Sequence, residues 1–343
     1  MKPDTFQNEA ALLEYFIQPA PELESVLRSL QGPLLVLGAG GKMGPTLCVL
    51  AKRSLEALGM DTPVIAVSRF SNPEERQWLE DRGVIIHVAD LLNPNVYEKL
   101  PEAKDIIYLV GLKFGTQQNP ELTWAVNTII PTQVSRRYPS SQMVVLSTGN
   151  VYPLSLVDQG GSIETDALTP VGEYANAAVA RERVFGYCSC ELNIRFAILR
   201  LNYALDLRYG VLVDLVSKIM NGQPVDVTMG HFNGIWQRDA NIAILRALSL
   251  TDTPHTVWNL TGSQTLSVRM VAQQIADHLG RSFELTGNES KMALLSNASK
   301  LWKALDPSLT SVSDVIQWTA GWVRGGGRIY GKPTHFDVRN GKY

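Results

Sequence analysis

The sequence predicts an α/β fold, a parallel doubly wound sheet with helices on both faces and a smaller α/β lobe after it. Two observations predict it. Apolar runs of strand length alternate with stretches of helical period, and the first run ends in a glycine-rich turn that opens directly into a helix.

Residues 8 to 30 have the pattern of short amphipathic helices, an N-terminal extension spanning 1–32. Leu34 to Leu37 make the first strand, and Gly38, Gly41 and Gly44 follow it three apart. Such glycines turn the chain without a Cβ clash, let backbone N–H groups approach a pyrophosphate, and let the helix lie close on the strand. The helix start then turns its N–H groups and positive dipole end toward phosphate. A dinucleotide site is expected here, with Lys42 and Met43 in the same turn. The second strand, Pro63 to Ser68, ends in Ser68 and Arg69 with no carboxylate. An acid at this place takes a ribose 2′-hydroxyl, whereas an arginine suits a 2′-phosphate, so NADP is the expected cofactor, with NAD as the other possibility.

A helix from Pro73 to Arg82 leads to the third strand, Val84 to Ala89, then Asp90 and Leu91. The fourth strand runs from Asp105 to Gly111 through Val110. A helix from Leu122 to Tyr138 carries Asn127, and the fifth strand is Gln142 to Thr148. In such a sheet ligands sit beyond the carboxyl ends of the strands, where Gly38, Arg69, Asp90, Gly111 and Thr148 all fall. The expected division is a dinucleotide-binding domain over 33–200, a mainly substrate-binding lobe over 201–330 with the chain crossing back, and a polar C-terminal arm over 331–343.

Composition narrows the function. With 343 residues, 45% hydrophobic and 19% charged, the chain is long enough for a nucleotide domain plus a lobe. A formal net charge of -2 gives no basic field for nucleic acid, so a small molecule is the expected partner. Neither a signal peptide nor a membrane span is expected. The 3 cysteines cannot build a disulfide framework and fit a reducing cytoplasm, and the 5 histidines lack metal-ligand spacing, so no metal is assigned.

Several motifs in order carry a family resemblance: the three glycines, Asp90-Leu91, Asn127 in its helix, Leu146 to Pro153, and Pro170 to Tyr174. Ala197 to Asn202, Gly222 to Pro224 and Asp239 to Ala243 follow. Over roughly residues 33 to 322 the chain resembles the extended short-chain dehydrogenase/reductases, the NAD(P)-dependent epimerase/dehydratase family. The resemblance implies a Rossmann-type fold, a homodimer formed by two paired helices, and hydride transfer on a carbohydrate-like alcohol. It also implies Tyr174 as acid/base, Thr148 as its partner on the substrate oxygen, and Asn127 as the active-site asparagine.

This sequence departs from the family pattern at three places. Where the pattern has a lysine four residues after the tyrosine, one helical turn on, Ala178 stands. Lys113, in the loop after the fourth strand, is the expected replacement cation, whereas Arg181 and Arg183 are expected to be solvated. Gly149 and Asn150 occupy the place of a dehydratase's acid pair, and Phe232 that of an arginine that clamps a nucleotide diphosphate. A free sugar, polyol or sugar acid is therefore expected in preference to a nucleotide sugar, reached by Asn150, Asn202, Trp236 and Arg238. The expected activity is an NAD(P)-dependent epimerase or dehydrogenase; the alternative is a redox-silent NADP(H)-binding sensor.

Overall fold

A computed structural model describes residues 3–113, 115–332 and 334–339. Its centre is a seven-stranded parallel sheet. Strands β1 (Leu34–Leu37), β2 (Val64–Ser68), β3 (Ile85–Val88), β4 (Asp105–Tyr108) and β5 (Gln142–Thr148) are joined by Arg195–Leu201 and Thr256–Leu260, in the order Thr256–Leu260, Arg195–Leu201, β5, β4, β1, β2, β3. β1 lies centrally, with Leu34 opposite Val64 on one side and Asp105 on the other. All four residues of β1 and of β4 are buried, as expected of strands covered on both faces. The order reverses between β1 and β4, which opens a crevice at their carboxyl ends.

Eleven α-helices are described. They are α1 (Glu9–Phe16), α2 (Glu24–Arg28), α3 (Gly44–Ala57), α4 (Pro73–Glu80), α5 (Pro120–Arg137) and α6 (Gly172–Leu192), then α7 (Val211–Met220), α8 (Gln237–Arg246), α9 (Val268–Leu279), α10 (Ser299–Leu305) and α11 (Val312–Arg324). One apolar core joins α1, α3, α7, α8, α9 and α11 on one face of the sheet; a second, containing Ile130, Val134 and Phe185 of α5 and α6, covers the other. No described helix is long and apolar enough to cross a membrane.

The N-terminal extension is tied into the first core. Asn8 caps α1 by accepting the Ala11 N–H, and Leu12, Phe16 and Ile17 are fully buried. Glu9 pairs with Arg208, Glu14 pairs with Arg53, and Trp318 donates its indole N–H to the Pro3 carbonyl. Arg208 also grips Asp206 with two nitrogens, and its carbonyl accepts the Tyr330 N–H. The extension, the cavity wall and the C-terminal arm therefore share one buried arginine.

Candidate active site

The glycine turn has the shape of a phosphate cradle. Gly38 has φ +81°, and a Cβ on it would come within 2.8 Å of the Val110 nitrogen. A Cβ on Gly44 would overlap the Ala39 carbonyl, whereas one on Gly41 would make only ordinary contact, so the turn is closed on the sheet side and open on the ligand side. No side chain caps the start of α3, and Pro45 lies in its first turn. The first N–H groups of a helix lack intrahelical partners, and Gly41, Met43 and Gly44 at this helix start line the cavity, so these residues fit a dinucleotide pyrophosphate.

From this turn a cavity of about 510 Å³ runs to the end of β5. Gly38, Lys42, Gly44, Gly111, Thr148 and Tyr174 all line it. Tyr174 is half-buried near the start of α6. Thr148 ends β5, and its hydroxyl accepts the Asn150 N–H at 3.2 Å, capping a short 3₁₀ turn. Asn150 and Asn202 also line the cavity, and Asn202 gives a side-chain N–H to the Leu294 carbonyl.

Among the described residues, the charged ones lining this cavity are Lys42, Lys113 and Lys332, and no carboxylate lines it. The Lys42 ammonium donates to the Ala204 carbonyl at 3.2 Å and lies 4.0 Å from the centre of the Tyr209 ring. Burial is the main force pushing Lys42 down to about 7; Asp206 opposes it, and Lys113 and Arg208 add to it. Burial also lowers Lys113 to about 8, opposed by Asp214. Behind the wall, Asp214 of α7 accepts from the Thr334 N–H and hydroxyl, which ties the C-terminal arm down so that Tyr330, Lys332 and Thr334 complete the lining. Of the arm expected over 331–343, Pro333 and residues 340–343 lie outside the described residues, as does Phe114 in the Lys113 loop.

The expected adenosine end is arranged around the carboxyl ends of β2 and β3. The Ser68 hydroxyl lies against Gly40 of the turn, Arg69 is exposed, and Asp90 folds its own loop by accepting the Leu92 N–H. Leu91 is buried, its carbonyl receiving the Tyr97 hydroxyl.

Four expectations are corrected. Trp236 is 2% exposed and stacks on Phe16 at 4.8 Å, beside Trp318 rather than the cavity. Arg238 donates to the carbonyls of Tyr15 and Gln18, clasping the end of α1, so neither residue reaches toward substrate. Asn127 is buried away from the cavity, accepting from Arg181 at 2.8 Å and donating to the Thr123 carbonyl. Arg181 is not solvated but buried, also donating to the Val110 carbonyl at 3.3 Å, while Arg183 is exposed as expected. Ala178 is buried with Val151 and Tyr152.

The sequence reading passed over Tyr209, Tyr330, Lys332 and Thr334. The last three sit in a tail without period, which offers no signal; Arg181 had one, because seven residues after Tyr174 is two turns along the same helix face.

No protein-family model matches the chain, and no curated protein matches its sequence. Solved structures do resemble it. A UDP-glucuronic acid 4-epimerase from Bacillus cereus, in complex with UDP-glucuronic acid and NAD, superposes with a TM-score of 0.70 at 18% identity, covering 85% of this chain and 99% of that one. A UDP-glucose 4-epimerase from Thermotoga maritima, with UDP-glucose, gives 0.69 at 16%, covering 86% and 99%. A UDP-galactose 4-epimerase gives 0.66 at 20%, covering 85% and 99%. At these identities the likeness establishes a shared Rossmann-type fold.

Proposed function

We propose that this protein is an NAD(P)-dependent epimerase or dehydrogenase of the extended short-chain type, acting on a secondary alcohol of a carbohydrate-like molecule. The observation that carries the reading is one cavity lined both by the glycine turn and by Thr148 and Tyr174. The epimerases of similar fold, bound to NAD or UDP-sugars, support it.

In this reading Gly38, Gly41, Gly44 and the open start of α3 hold the pyrophosphate, with Lys42 beside it and the nicotinamide end toward Gly111. When bound, the cofactor supplies a hydride acceptor and donor. The Tyr174 phenol takes the hydroxyl proton as base and returns it as acid, and Thr148 orients the same oxygen. Exposed Arg69 supports NADP, whereas NAD is the dinucleotide named with the similar structures.

On the substrate side Lys113 and Lys332, with no carboxylate lining the cavity among the described residues, favour a sugar carrying an anionic group over a neutral polyol. A sugar acid and a nucleotide diphosphate sugar both satisfy that charge, with Lys113 and Lys332 as the groups to meet it. The apolar side chains exposed on α5 and α6, among them Leu122, Trp124, Ile129 and Tyr187, support a homodimer through paired helices. Free Cys48, Cys188 and Cys190 support a reducing, cytoplasmic setting.

A second reading, a redox-silent cofactor sensor, is favoured by Ala178 and by a Thr148 hydroxyl already used in a local cap. The test is to incubate the protein with NADP or NAD and paired neutral, carboxylated and nucleotide-linked sugars, following both cofactor absorbance and isotope exchange at the substrate carbon. Exchange without net cofactor change marks an epimerase, and net change a dehydrogenase. Cofactor binding without either, unaltered in Tyr174→Phe, selects the sensor.

A further inference from the structure

Arg181 has no part in the chemistry above, yet its surroundings are unusual. It is 4% exposed, and among the described residues no carboxylate pairs with it; the neighbouring Glu182 turns instead to Arg200. Its Nη1 donates to Asn127 and to the Val110 carbonyl, and its Nε is buried without a partner. Buried guanidinium groups ordinarily face a carboxylate, because an uncompensated charge is expensive to desolvate. Here the charge is held by neutral oxygens.

Its place is specific. A Cβ on Gly111 would come within 2.9 Å of Nη1, so the guanidinium lies directly behind the backbone that forms the cavity wall. Tyr174, Ala178 and Arg181 stand at i, i+4 and i+7 on α6, one face of one helix. Helical side chains lean toward the N-terminus, so the long Arg181 side chain returns over the turn that bears Ala178.

We propose that Arg181 is a positioning residue that fixes a positive charge behind Gly111 and thereby favours the uncharged, reduced nicotinamide over the cationic, oxidised ring. This rests on the reading of the cavity as a nicotinamide dinucleotide site. The physical basis is plain repulsion in a water-poor place, where a fixed charge acts on the ring's own charge and leaves the rest of the cofactor unaffected. A strut that merely tied α6 to β4 and α5 would treat both redox forms alike.

The experiment measures dissociation constants of the oxidised and reduced dinucleotide by calorimetry, with NADP(H) and NAD(H), in the wild type and three variants. Arg181→Gln retains a side-chain donor for Asn127 without the charge, and Arg181→Lys retains the charge. Ala178→Lys combined with Arg181→Gln moves the charge one turn back on the same face. The preference for the reduced form is expected to fall about fivefold or more in Arg181→Gln. It should hold within about twofold in Arg181→Lys and return in the double variant. An unchanged ratio in Arg181→Gln, with or without a lower unfolding midpoint, overturns the proposal and leaves a strut. Should Arg181→Gln not fold, Asn127→Asp decides, because it sets a carboxylate against the same guanidinium: a fall in the preference for the reduced form supports the charge, and an unchanged ratio overturns the proposal. A wild type that binds neither redox form overturns the cofactor reading itself, whereas binding with an Arg181-independent ratio overturns this inference alone.

Discussion

Lys42, in the glycine turn, reaches across to the Ala204 carbonyl at 3.2 Å, so that the turn and the segment following Arg195–Leu201, both of which line the cavity, are latched by one ammonium group. With burial holding Lys42 near 7, the group is only partly charged at neutral pH. A bound phosphate raises that value, so binding takes up a proton, and affinity falls as pH rises from 7 toward 9. Cofactor titrations at pH 6, 7.5 and 9 should show this decline. Lys42→Met should weaken binding by roughly tenfold and flatten the profile.

Tyr174→Phe removes the proposed acid/base hydroxyl and keeps the ring. Turnover should fall by roughly 10²- to 10⁴-fold, while the cofactor dissociation constant changes little. Single-turnover isotope exchange checks it, and retained exchange would remove Tyr174 from the chemistry.

Glu182 and Arg200 form a buried fork, with Arg200 Nη2 2.7 Å from Oε2 and Nε 3.1 Å from Oε1. Arg200 also donates to the Tyr152 hydroxyl at 2.7 Å, and Ser147 donates to Glu182. Glu182→Ala leaves a guanidinium buried without its anion and should lower stability by about 3–5 kcal/mol, read by urea unfolding. A change under 1 kcal/mol would mean that water reaches the pair.

The arm prediction concerns Asp214. Asp214→Ala removes the acceptor that holds Thr334, and Lys332 then loses its fixed place at the cavity rim. The Michaelis constant for an anionic substrate should rise several-fold with cofactor affinity kept, and protease cleavage near residue 332 should quicken.

Arg238→Ala tests the corrected assignment. Loss of its donors to Tyr15 and Gln18 should lower stability by about 1–3 kcal/mol and leave the Michaelis constants unchanged. A selective rise in the substrate constant would return Arg238 to the site.

The sheet and the glycine turn were legible because their causes are local: apolar runs of strand length, and glycines where a Cβ meets backbone. β4 and β5 begin where the pattern put them, although β4 ends at Tyr108, before Gly111. Contacts distant in sequence were not legible. Trp236 and Arg238 read as substrate residues because their partners, Phe16, Tyr15 and Gln18, lie some two hundred positions earlier, in a segment whose docking no motif announces. Arg181 reads as solvated because arginines usually are, and only its burial beside Asn127 reveals otherwise. Lys332 and Thr334 belong to a tail without period, whose course depends on the Asp214 carboxylate.

Arg208 reaches the extension through Glu9, the cavity wall through Asp206, and the arm through its carbonyl. The first helix is therefore tied through one side chain to Tyr330, which lines the cavity. A recombinant version begun downstream of Glu9, or one whose affinity tag competes for that arginine, should show altered ligand affinities even where its spectrum looks native.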